Sequence, residues 1–176
     1  MRAALALLVL TACGGSQGPA ITVQTRCEFN GMSIALEEGA GQPTADGFAT
    51  PIINAPTPAE VCQKAGQQLQ TGRSVYEARW GIVALEGWTI RIRTPAHWGD
   101  VKELANGLES GVSGTIYRAE KFVDVSQWSP RVFPHELHHL QLGPSSGDHH
   151  GWCAEFEPWE ETALHMDERD YLGCNP

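Results

Sequence analysis

The chain has 176 residues, 41% hydrophobic and 19% charged, which suits one domain with its own core and excludes a disordered chain. Its formal net charge is -9, and no local Lys/Arg cluster offsets it. A surface field of that sign repels phosphate backbones, which argues against a nucleic-acid partner.

The first residues read as a targeting segment. Arg2 supplies a positive start, and Ala3 to Leu10 is an apolar run too short to span a bilayer. The run ends in Leu10-Thr11-Ala12-Cys13, which resembles the lipobox of bacterial lipoproteins. That resemblance implies cleavage after residue 12 and a diacylglycerol on the Cys13 thiol. The domain would then be held at a membrane by acyl chains that anchor without spanning. Residues 1–12 become a signal peptide and 13–25 a small, polar tether. Gly14 stands where an aspartate would favour inner-membrane retention, so the resemblance points to the outer membrane of a bacterial cell envelope.

Four cysteines remain: Cys27, Cys62, Cys153 and Cys174. An even count in an exported chain suggests two disulfides, with three pairings possible. Cys27–Cys62 with Cys153–Cys174 is the expected set, because it ties sequence neighbours. A cysteine metal site is the rival, but no close CxxC pair is present.

From Gly39 to Pro58 the chain is rich in Gly, Pro, Ala and Thr and reads as an irregular loop. Thr57 can cap a helix with Pro58 at its first position; Val61, Ala65 and Leu69 give it an apolar stripe, and it is expected to end near Gln70. Ser74 to Leu85 and Trp88 to Arg93 read as strands joined at Glu86-Gly87. Within the second, Ile90 and Ile92 alternate with Arg91 and Arg93. A helix is expected over His97 to Leu108, and a strand over Gly114 to Val125. Ser129-Pro130 offers a cap and first-turn proline for a helix that runs to Leu142, stopped by Gly143-Pro144. The order α, β, β, α, β, α predicts one α+β domain over 26–176 with a small mixed sheet.

That last helix contains Pro134-His135-Glu136-Leu137-His138-His139. Residues 135 and 139 are four apart, so their imidazoles project from one helix face about one turn apart and can bind a single Zn²⁺. Glu136 can reach a water on the metal and take its proton as the water attacks a carbonyl. His138 lies on another face and reads as a bystander.

Gly114 to Val125 followed by this HExxH helix resembles the edge strand and active-site helix of zincin metallopeptidases. The likeness covers the C-terminal half and is carried by the motif. It implies a substrate cleft along the strand, β-augmentation by a protein or peptide substrate, and a sheet backed by the Thr57–Gln70 helix. A catalytic zinc usually has a third protein ligand. The metzincin pattern is absent, since Leu142 and Ser145 stand where glycine and histidine would be. His149 in the glycine-flanked loop is the expected third ligand, with His150 next to it and Asp148 as a ligand or orienting group. Following the gluzincin plan instead, Glu160 or Glu161 on the next helix would complete the site.

Trp152 and Trp159 suit core or cleft wall. Met166 and Tyr171 are weak candidates for a methionine turn and an oxyanion donor, and His97 and His165 read as surface residues. The expected protein is a lipid-anchored zinc metallopeptidase with one Zn²⁺ per chain. The alternative is a non-catalytic zinc-binding or structural envelope lipoprotein. Oligomeric state is left open.

Overall fold

The computed structural model describes residues 21–43, 51, 53–94, 114–127, 132–143 and 153–164. Eight elements occur there: β1 (Val23–Phe29), β2 (Met32–Glu37), α1 (Pro58–Trp80), β3 (Thr89–Arg93), β4 (Gly114–Tyr117), β5 (Phe122–Ser126), α2 (Phe133–Leu142) and α3 (Cys153–Leu164). The strands form one mixed five-stranded sheet in the order β1-β2-β3-β5-β4. β2, β3 and β5 run parallel, while β1 and β4 are antiparallel to their neighbours and form the two edges. An α+β domain with a small mixed sheet was expected, and that is the architecture found.

The β1–β2 hairpin is an element the sequence reading missed, and β1 already starts at Val23, within the expected tether. Along β1, Val23, Thr25, Cys27 and Phe29 are partly buried while Gln24, Arg26 and Glu28 are exposed, the two-residue period of an edge strand. Asn30 and Gly31 close the hairpin, both at positive φ (47° and 76°), as a type I′ turn requires.

α1 runs ten residues past its expected end at Gln70, to Trp80. Thr57 and Glu60 form a capping box at its start. Its buried residues continue the helical period past Gln70 through Gly72 to Tyr76. Ser74 to Trp80 is therefore helix rather than strand, and residues 81–88 link it to β3 without regular structure. The buried side of α1 packs with Ile34, Leu36, Ile90, Ile92, Val123 and Val125 in the main core. Burying one such side chain as fully as Leu69 contributes about 1.5–3 kcal/mol. Cys27 and Cys62 are disulfide-bonded with Cα atoms 6.6 Å apart, joining β1 to α1 as expected. Closing a 35-residue separation stabilises the fold by about 4 kcal/mol on the chain-entropy argument.

The single strand expected over Gly114 to Val125 is a hairpin instead. Arg118 to Lys121 turns the chain, with Lys121 at φ 55°. α2 begins at Phe133, and the proline in its first turn is Pro134, not Pro130, which lies outside the described residues. Gly143, at φ 87°, ends α2 as expected. The expected helix over 97–108 also lies outside the described residues.

The other face of the sheet carries charge. Arg91 binds Asp124 through two guanidinium nitrogens, the Nη2–Oδ2 contact being 2.7 Å. Arg93 reaches the same carboxylate and also Glu37, at 3.3 and 3.4 Å. Burial pushes the Glu37 carboxyl up, but the Thr94 N–H at 2.6 Å and the Arg93 guanidinium outweigh it and hold it below the usual range. Arg93 is only 1% exposed and Asp124 is fully buried, so this is an interior ion network. Its two positive and two negative charges balance, which is what makes such burial tolerable.

Candidate metal centre

α2 has ten residues, too few to be stable alone, so packing fixes it. Leu137 and Phe133 are buried in the core. Pro134 sits against α1 at Gly72, where a β-carbon would stand 2.9 Å from the proline ring. β4 flanks α2 on the sheet side. Helix and edge strand are thus held side by side.

On the partly buried face of α2, the His135 and His139 ring centroids are 4.9 Å apart. Their Nε2 atoms are 3.2 Å apart. Two nitrogens that each bind one tetrahedral zinc at about 2.0–2.1 Å stand about 3.3 Å apart. The separation of the pair therefore matches that of two nitrogens on one ion. No group of three or more potential metal-binding side chains occurs among the described residues. The candidates for a third ligand fall elsewhere: Asp148, His149 and His150 lie outside the described residues. Glu160 and Glu161 belong to α3, but their side chains are outside what is described.

Glu136 is 5% exposed and turns toward the sheet edge. Its carboxyl occupies the space beside Gly114, the first residue of β4: a β-carbon there would lie 2.7 Å from Cδ and 2.8 Å from Cγ. The last turn of α2 is held from the β4–β5 turn, where Arg118 Nη2 donates to the His139 carbonyl at 2.5 Å. The same carbonyl accepts the Gly143 N–H at 3.1 Å. A cation at a helix C-terminus also meets the negative end of the helix dipole.

His138 has a different environment. Gln141 Nε2 donates to the Trp80 carbonyl at 2.7 Å, which turns Oε1 toward Tyr76. The Tyr76 hydroxyl donates to that Oε1, so its oxygen accepts from His138 Nδ1, 2.9 Å away. His138 is thereby the Nδ1–H tautomer. Its ring stacks on Phe156 at 4.3 Å and meets the Trp80 ring at 5.0 Å. Burial, with the charge of His135 adding, pulls its pKa from 6.5 down to about 4. Burial likewise pushes the Tyr76 hydroxyl well above its ordinary value. The bystander role expected for His138 is a structural one.

Phe156 also packs against the His135 ring, with centroids 6.0 Å apart, so α3 lies against the same stretch of α2. Trp159 joins this aromatic wall beside Tyr76 and Trp80, as its sequence setting suggested. Gly114, Arg118, Tyr76 and Gln141 were not anticipated. Only Tyr76 had a sequence signal, seven residues after Leu69 on the same helix face. Trp152, Met166, Tyr171, His97 and His165 lie outside the described residues, as do Cys174 and the side chain of Cys153, and with them the second expected disulfide. The chain matches no protein-family profile, curated protein or solved structure.

Proposed function

We propose that this chain is a zinc-dependent metallopeptidase hydrolysing amide bonds in protein or peptide substrates, with His135 and His139 holding one Zn²⁺ and Glu136 as general base. The observation that carries the reading is the 3.2 Å approach of the two Nε2 atoms on a partly buried helix face. When bound, the ion supplies an acidified water and polarises the scissile carbonyl. His135 and His139 act as neutral imidazoles with their Nε2 lone pairs aimed at one point. Glu136, enclosed between α2 and β4, accepts the proton of the attacking water and returns it to the leaving nitrogen. β4 is an antiparallel edge whose outer side carries no further strand among the described residues. An extended peptide can add there as a sixth strand, beside Glu136.

Support for a zincin-like arrangement comes from topology. An antiparallel edge strand, the HExxH helix beside it and a long helix on the core face of a mixed sheet are what that reading requires. His149 is proposed as the third ligand, with His150, Glu160 and Glu161 as alternates. Substituting each of the four separately and titrating zinc identifies the ligand as the variant that loses affinity. The lipobox reading stands beside this: Cys13 is proposed to carry the lipid that holds the domain in the cell envelope, and Cys13→Ser should release the protein from membranes.

Metal analysis of the purified chain should give about one zinc per chain, lost in His135→Ala and in His139→Ala. A Glu136→Ala variant should keep the zinc and fail to hydrolyse an unstructured protein. If Glu136→Ala and the parent behave alike in that assay, the chain is a zinc-binding lipoprotein without turnover.

A further inference from the structure

The two sides of the HExxH helix are held by one element. Gly114 opens β4 and pairs with Val125, and its missing β-carbon is the space that the Glu136 carboxyl fills. Four residues on, Arg118 leaves the end of the same strand and donates to the His139 carbonyl in the last turn of α2. That turn carries the second imidazole on a helix too short to hold its own end. We propose that the β4–β5 hairpin is the positioning element of the site, with Gly114 setting the place of the Glu136 carboxylate and Arg118 setting that of the His139 ring.

The two contacts act through different residues and so separate in experiment. The three atoms that a methyl at Gly114 would meet first all belong to the Glu136 side chain, none to His135 or His139. Displacing a reacting group by about 1 Å costs roughly 100-fold in rate. Gly114→Ala is therefore expected to lower kcat about 100-fold, with KM and zinc affinity within about threefold of the parent. Shortening the acid restores room: Gly114→Ala combined with Glu136→Asp should be no slower than Gly114→Ala alone. In the parent background Glu136→Asp should lower kcat, so the two changes are non-additive. Arg118 acts on the helix end, through the His139 carbonyl. Arg118→Ala should weaken zinc binding by about 10–100-fold, the usual effect of removing a group that orients a ligand. Arg118→Lys keeps a donor and a charge and should recover part of that loss.

This inference rests on the peptidase reading, and the two fail differently. The test uses the purified full chain, zinc affinity by competition with a chromophoric chelator, and kcat and KM on an unstructured protein. If the parent neither binds zinc nor hydrolyses the substrate, the peptidase reading falls and takes the hairpin's role with it. If the parent is active and Gly114→Ala keeps its kcat, or Arg118→Ala keeps its zinc affinity, the positioning role alone is overturned. Should Gly114→Ala fail to fold, a crystal structure of the soluble double variant decides the matter. A carboxylate moved away from β4 supports the role, and one in its parent place overturns it.

Discussion

Two histidine environments within about one turn of a single helix separate a metal-ligand reading from a core reading. His138 and His139 are adjacent in sequence and identical in chemistry. His138 faces Tyr76, Trp80 and Phe156, is 5% exposed, and has its Nδ1 proton committed to a hydroxyl that is itself committed to Gln141. His139 and His135 meet edge to face with their Nε2 atoms 3.2 Å apart. The lesson is that spacing decides which histidines can act together, and burial decides which one cannot leave the core. A ring fixed in an aromatic wall contributes packing, whereas two half-buried rings with convergent nitrogens invite a cation.

The largest effect should come from the residue between the two faces. Glu136→Gln is expected to lower kcat by about 100- to 10,000-fold with zinc content unchanged, measured by proteolysis and metal analysis together. Next, His135→Ala and His139→Ala should each weaken zinc binding by more than about 100-fold, while His138→Phe should leave it within threefold. Equal losses at all three would erase the distinction between the two faces. On the core side, Tyr76→Phe removes the hydroxyl that links His138 to Gln141 and should cost about 1 kcal/mol in urea unfolding, with zinc affinity unchanged.

A further effect is a pH dependence to which His138 contributes. Its folded pKa is about 4 against 6.5 in the unfolded chain, so the unfolded chain takes up a proton first as pH falls. Stability should be fully present above about 6.5 and decline as pH falls through the window down to about 4. His138→Phe should flatten that limb relative to the parent in urea titrations of both. A limb of the same slope in both proteins would remove His138 as its source.

The HExxH face was legible because a four-residue spacing within one helix is local information. The β1–β2 hairpin was legible too and was missed: Asn30-Gly31 between two alternating runs is among the strongest short-range hairpin signals. α1 was cut short because Ser74 to Leu85 read as a strand, although Tyr76 continues the stripe of Val61, Ala65 and Leu69. Propensity yielded there to packing against the sheet and α2. The turn at Arg118 to Lys121 had no such signal, since a lysine at positive φ replaces the glycine or asparagine that usually marks one. Gly114 and Arg118 could not be found from sequence at all. Their roles exist only because a helix 20 residues downstream docks against their strand, and tertiary approach leaves no periodicity to read.

The most direct test is imidazole ¹⁵N NMR of the full chain as zinc is added. One equivalent should move the Nε2 resonances of His135 and His139 together, and His138 should remain the Nδ1–H tautomer throughout. If His138 shifts with them, or if one equivalent of zinc leaves His135 and His139 unmoved, the two rings do not share a metal.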